Sequence, residues 1–272
     1  MIGRVFNGIG KCIDKGRYIT PEQSLPIFGT YIPLIFLCKF FLIYQFCVLE
    51  GHTINPTMRV PPKEIIWTGI SVIDVLAPII KGQTFGIFSG YGLPHLSLVT
   101  KICLQALRTN QIHGFRPPPP PPNNYFPSAH IWKVVIMVSV SLPLQEIRYF
   151  RSCFEDANLS DRLILFVHLA NEPLGEGLIT PHIAMATAEY LAFTCGMHVL
   201  VVISDMGTIS DSARCMLGRN PPRWDPWQLL PQEVCPILSQ SGLVKGSIGS
   251  ITTLPIIPMP NDGNYSTWFF IV

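Results

Sequence analysis

Charge is the first thing this sequence has little of. Asp, Glu, Lys and Arg make up 13% of its 272 residues, about half the usual share. The 19 Lys and Arg against 17 Asp and Glu leave a net charge of +2, and no basic block stands anywhere, so nucleic acid is not indicated as a partner. Eight cysteines are scattered without a CxxC pair and without a histidine at metal-ligand spacing. That excludes a zinc-finger type of site, and the cysteines read as reduced cytosolic thiols. The seven histidines form no pair at catalytic spacing and no serine has a GxSxG setting, so no hydrolase constellation is visible. The N-terminal MIGRVFNGIGKCIDKGR lacks the apolar core of a signal peptide, and secretion is not expected.

What is present is a 48% hydrophobic chain with 26 prolines, enough for one large α/β domain or two small ones. The dilution of charge is local. IPLIFLCKFFLIYQFCVL, residues 32–49, is an 18-residue apolar stretch broken by Pro33, Lys39 and Gln45, at the lower length limit for crossing a bilayer. Twelve Leu, Ile, Phe and Val at roughly −0.5 kcal/mol each favour insertion by about 6 kcal/mol, while a central Lys costs about 3 and the Gln adds to that. Insertion is therefore marginal, and with neither helical nor strand period the stretch reads as an insert foreign to the surrounding fold. FRPPPPPPNNYFP, residues 115–127, favours polyproline II and reads as a surface linker, in form also an SH3 or WW ligand.

Between these two segments the pattern alternates. Thr84 to Phe88 reads as a buried strand, Leu96 to Arg108 as a helix, Val134 to Val140 as a central strand and Leu144 to Asp156 as a helix. Arg162 to Leu169 is expected as a strand, Thr180-Pro181 as the N-cap and first position of a helix running to about Cys195, and 198–206 as a strand ending in an acid. Residues 250–260 read as one more strand region and 219–236 as a proline-rich loop. Strands alternating with crossover helices imply α/β architecture with a mostly parallel sheet covered on both faces.

The strand, the glycines Gly90 and Gly92 and the following helix are the parts of a phosphate-binding loop, in order. Such a loop needs G-x-x-x-x-G-K-[ST], in which Lys neutralises the β and γ phosphates and the hydroxyl holds magnesium. Here GLPHLS stands instead, and the only candidate cation between Lys81 and Lys101 is His95. Proline deletes a backbone donor at the place where one is wanted. Asp205, closing VLVVISD, has the form of a strand-end acid that reaches magnesium directly or through water, and also the form of an ordinary cap. Glu189 is expected on a solvated or interface side of its helix.

PPKEIIWTGISVIDVLAPIIKGQTFGIFSGYGLPH, with its TGIS-x-ID stretch and its GLPH loop, resembles the non-catalytic B subunits of vacuolar-type proton-pumping ATPases. GRVFNGIGKCIDKG, FEDANLSDRLILFVHLANEP, LITPHIAMATAEYLAF, HVLVVISDM and GSIGSITTLPIIPMPNDG follow in that family's order over well over half of the chain. The resemblance implies a RecA-like P-loop NTPase core with a degenerate phosphate loop, in a ring with catalytic A subunits and other subunits of the peripheral sector. It implies cytoplasmic placement, peripheral on a vacuolar, endomembrane or plasma membrane through the complex. No catalysis by the chain itself is implied, hydrolysis falling to the A subunit.

By position, Ser89, Gly90, Tyr91, Gly92, Leu93, Pro94, His95 and Asp205 carry over to a weak interface site for ATP or ADP, with no metal expected. The implied layout is a hinge remnant after an N-terminal β-barrel at 1–29, an apolar insert at 30–52, the RecA-like domain at 53–262 and an atypical tail at 263–272. His182 stands where the family has an arginine, and the family's later arginine and C-terminal helical domain have no counterpart. A non-assembling truncated or pseudogene-like product of the same family is the competing expectation.

Overall fold

The computed structural model describes residues 1–14, 16, 54, 56–90, 92–108, 133–217 and 237–258. The apolar stretch 32–49, the proline run 115–127, the loop 219–236 and the tail 263–272 lie outside them. Among the described residues no helix is long and apolar enough to cross a membrane.

Six strands form a parallel sheet in the order β1 (Val5–Asn7), β6 (Leu163–Leu169), β5 (Lys133–Leu142), β7 (His198–Ile203), β9 (Ser250–Pro258) and β4 (Ile87–Ser89). A seventh, β8 (Gly242–Leu243), pairs antiparallel with β9. The short strands β2 (Ile65–Ile66) and β3 (Ile79–Ile80) form a separate antiparallel pair around helix α1 (Ser71–Leu76). The central strands are continuous runs of Val, Ile and Leu because both of their faces are covered, so neither face selects polar residues.

On one face α2 (His95–Arg108) and α3 (Leu144–Asp156) press Val99, Ile102, Phe150 and Phe154 against Val135, Met137, Leu165 and Val202. On the other, α4 (Leu174–Glu189) and α5 (Met206–Leu217) press Ala184, Met185, Ala188, Met206 and Ile209 against Ile136, Val138, Phe166 and Val201. At the β1 side Phe6 stacks on Phe166, ring centroids 5.2 Å apart.

Three boundaries differ from expectation. Thr180-Pro181 does not open a helix: α4 begins at Leu174 and carries Pro181 in its interior. The glycines of LGEGL look like loop in sequence, but Gly177 lies where an added Cβ would come within 2.9 Å of the His168 ring, so glycine there permits close helix-to-strand contact. Pro181 withholds the bond an ordinary residue would make to the Gly177 carbonyl, and the helix is tied at this point by Thr180, whose one hydroxyl hydrogen is shared between the carbonyls of Glu176 (2.7 Å) and Gly8 (3.1 Å). The helix then loosens into a π turn over Tyr190–Thr194. The strand expected at 84–88 is regular only over Ile87–Ser89, with Thr84 held by a single bridge to Thr253. Strand β7 stops at Ile203, before its acid.

Ser141 has a φ of 53°, the left-handed region where a Cβ is strained. It lies within a register irregularity between Ser139 and Leu142. Ser141→Gly is expected to stabilise the domain by about 0.5–1 kcal/mol, read as a higher urea midpoint at unchanged slope.

His182, on the buried side of α4, is 4% exposed, and burial pushes its pKa down from the ordinary 6.5 to about 4. The native imidazole is therefore neutral where the unfolded one has begun to protonate. Its contribution is complete above about pH 6.5 and is lost as pH falls toward 4, a swing on the order of 3 kcal/mol. Urea midpoints taken from pH 7.5 down to 4.5 should fall more steeply for the native chain than for His182→Gln.

Candidate functional site

The site predicted from the glycines is built at the carboxyl end of β4. Ile87 and Ser89 point into the α2 side of the core, and Phe88 points away from it and is half-exposed. The chain turns at Gly90 and at Gly92, whose φ of 77° needs a residue without a Cβ. Tyr91 lies outside the described residues. The turn is closed by its own backbone: the Leu93 N–H donates to the Gly90 carbonyl at 3.3 Å and the His95 N–H to the Leu93 carbonyl at 2.8 Å. Pro94, which has no N–H, sits at the start of α2 and accepts the first helical bond from Leu98 at 3.2 Å. The buried Ser89 hydroxyl lies 3.2 Å from the Gly90 carbonyl and 3.3 Å from His95 Nδ1, so the one candidate cation leans on the loop's own serine.

A phosphate needs several free N–H groups converging on it and a positive charge nearby. At Leu93, Pro94 and His95 this loop offers two spent donors and one missing donor. Lys81, the cation on the preceding turn, is paired with Glu64, and Lys101 is exposed two turns along α2. As built, the loop does not fit a triphosphate gripped from this chain alone.

Asp205 follows β7 and caps α5. One of its carboxylate oxygens accepts the Thr208 N–H at 3.0 Å and the other accepts the Thr208 hydroxyl at 2.5 Å. Strands β7 and β4 are parallel with β9 between them, so Asp205 and the glycine loop share one edge of the sheet, two strand spacings or roughly 10 Å apart. The structure thus brings the expected residues to one edge, and it uses the acid as a helix cap. Glu189 is the last residue of regular α4, half-buried.

Sequence reading missed a cluster of small polar groups between β5 and β7. Helix α3, leaving β5, lies on one face and α5, leaving β7, on the other. The carboxyl ends of these two strands are therefore a switch point, where open α/β sheets hold ligands. The Ser204 hydroxyl accepts the Val140 N–H at 2.9 Å. Ser139 Oγ is buried without a hydrogen-bond partner among the described residues. On the next strand His168 is fixed from both sides: Nδ1 accepts the Ser141 N–H at 3.2 Å, so Nε2 carries the proton shared with the Pro173 carbonyl at 3.1 Å. The signal was the break of the Val134–Val140 run at Ser139 and Ser141, which reads in sequence as the mere end of a strand.

Among the described residues no group of three or more His, Cys, Asp or Glu is placed to hold a metal ion. A narrow apolar cleft edged by Leu107, Val135, Leu200 and Thr252 lies at the opposite, amino edge of the sheet and brings no chemistry to the glycine loop.

These positions define an α/β domain with the layout of a phosphate-loop fold, whose loop has closed on itself. The model of the ATP synthase alpha/beta family, nucleotide-binding domain, matches residues 69–267, and the chain belongs to that family. It is similar to the V-type proton ATPase B subunit of Plasmodium falciparum, 37% identical over 265 residues that cover 96% of this chain and 47% of that protein. It is also similar to the first of the numbered V-type proton ATPase B subunits of Acetabularia acetabulum, 35% identical over 96% of this chain and 48% of that protein. The chain thus spans about half the length of the curated relatives it matches. Among solved structures it resembles a unique ATP synthase subunit, NeqB, of Nanoarcheaum equitans, with a TM-score of 0.71 and 28% identity over 97% of this chain and 54% of that one.

Proposed function

We propose that this chain is a B-type subunit of the peripheral sector of a V-type ATPase, non-catalytic in itself, that supports proton transport by assembling with catalytic A subunits. The observation that carries the reading is the loop: its donors at Leu93 and His95 are spent internally, Pro94 has none, and no side chain beside the glycines is a fixed cation. Without a cation, neither ground-state triphosphate affinity nor stabilisation of the charge developed in phosphoryl transfer is available. The strand, turn and helix survive because their stability rests on packing, which the missing lysine never touched. ATP or ADP is then held weakly at a subunit interface, where a neighbour supplies the charge. Membrane contact is indirect, through the complex.

The test is a nucleotide titration of the pure chain, alone and mixed with the catalytic subunit, with phosphate release followed in parallel. The expected result is feeble binding alone, tighter binding in the mixture and no turnover without the partner. Phosphate release by the pure chain would overturn the non-catalytic reading. Failure to co-purify with A-type subunits would favour the non-assembling alternative.

A further inference from the structure

We propose that the outward face of α1, carried by Val72, Val75 and Leu76, is a docking surface for an uncharged apolar face of a neighbouring catalytic A-type subunit, at the end of the sheet away from the glycine loop. The inference rests on the assembly reading above. The three residues follow one another at i, i+3 and i+4, which places them on one side of a helix. They are 63%, 77% and 78% exposed. Ile65 and Trp67, on the outward side of β2 by alternation around the buried Ile66, are exposed as well. Single exposed apolar residues are ordinary, but a cluster of this kind marks a contact surface.

The helix is pinned from its inner side. Ile70 and Ile73 pack against the core under α2. The Asp74 carboxylate accepts the Thr68 N–H at 3.0 Å, the Thr68 hydroxyl at 2.7 Å and the Gly69 N–H at 3.0 Å. Gly69 in turn lies against the Gln105 side chain in the last turn of α2. The outward face is therefore presented by a fixed helix, and little ordering cost attends its burial. Asp74 is the one charged residue between Glu64 and Lys81, and it is turned to the backbone of Thr68 and Gly69. α1 thus offers no charge that would select an ionic partner or oppose an apolar one.

The size of the face decides between occupants. These partly exposed side chains offer on the order of 400 Å², whereas a stable pair buries about 800 Å² on each partner. In a two-fold pair of copies the same patch meets itself, so a second copy would find about half of what it needs. A ring neighbour is held by further contacts and has only to match this patch. Position agrees. The Gly82 N–H, just after β3, donates to the Thr252 hydroxyl of β9 at 2.9 Å, whereas Ser89 is in register with Pro258. Those two points of β9 are roughly 20 Å apart. The unit that carries α1 is therefore anchored at the amino edge, clear of the glycine loop, and its contact does not depend on nucleotide.

Carbene labelling of the native full chain, alone and with the catalytic A subunit, tests it together with a binding titration. Val72, Val75 and Leu76 should label in the chain alone and lose most of that label in the mixture, with or without ATP. The full chain carrying Val75→Lys and Leu76→Lys keeps good helix formers at two exposed positions, so the urea midpoint of the isolated variant should match the native one. Its affinity for the A subunit should fall at least about 30-fold, the size of a hot-spot loss. A native chain that binds the A subunit with α1 still fully labelled, or a variant that binds as well as the native chain, would overturn this inference and leave the assembly reading standing. The labelling arm decides even if the variant does not fold. A native chain that does not bind the A subunit at all would overturn both. Label lost on concentrating the chain alone would put a second copy on the face, and an α1 that never labels would put another segment of this chain there; either result also overturns the inference.

Discussion

Replacing Gly249 by alanine is expected to destabilise the domain by about 3 kcal/mol or more, a large part of the 5–15 kcal/mol that holds an ordinary domain folded. A Cβ at Gly249 would lie 1.8 Å from the Ala192 carbonyl oxygen and 2.7 Å from the Met197 oxygen. Both obstacles are backbone, so no rotamer change relieves the clash. Ala192 sits in the π turn that ends α4, and Gly249 immediately precedes β9, the strand between the glycine loop and the capped acid. The methyl would have to push the helix end off the sheet or shift β9, and either move disturbs the edge on which the candidate site stands. Gly92→Ala is the matched control. It has a φ of 77° and nothing within 4 Å of the added atom, so it should cost only about 1 kcal/mol of backbone strain. Urea unfolding of the three proteins checks the ranking, and a Gly249→Ala midpoint as high as that of Gly92→Ala would contradict it.

The same contrast explains what was legible in the sequence. Long elements with strong apolar content were plain: Leu144–Asp156 appears where the pattern put it, and the Val134–Val140 run is the heart of β5. Burial on both faces leaves a local composition that needs no tertiary knowledge to read. The start of α4 was not legible, because local rules favour Thr180-Pro181 as a helix start. What overrides them is long-range: Gly177 meets His168 and the Thr180 hydroxyl reaches Gly8, 172 residues away in sequence. At the candidate site, residue types told that the cation was missing, which is a one-dimensional fact. They could not tell that the Leu93 and His95 N–H groups are spent within the turn, or that Asp205 is occupied by Thr208, because those facts are geometry. The serines between β5 and β7 were invisible for the same reason, since nothing in Ser139 or Ser204 alone announces a switch point.

Giving the loop back what it lacks should therefore raise its affinity for magnesium-bound ATP, by an amount the present hydrogen bonds limit. In the double variant Leu93→Lys, Pro94→Thr, the lysine offers a charged donor to the phosphates, and the threonine restores an N–H and supplies a hydroxyl for magnesium. A hydrogen bond to a charged group contributes about 1.5–3 kcal/mol, or roughly 10- to 100-fold in affinity. Opening the Gly90 and Leu93 carbonyl contacts costs about 1–3 kcal/mol in total, which the bonds of the two freed N–H groups to the phosphate offset, so no more than the lower end, about 10-fold, is expected for the isolated chain. The fold should tolerate the change, because Leu93 and Pro94 are exposed and threonine is a favourable residue at a helix start. Leu93→Lys alone should gain less, since Pro94 still withholds its donor. Calorimetric titration of the native chain and the two variants decides it. Equal affinities in all three would mean that the missing cation is not what weakens this loop, and the structural reading of the turn would have to be abandoned. Turnover should stay absent even in the double variant, because the strand-end acid remains bound to Thr208 and the chain has gained a grip on phosphate without gaining a base.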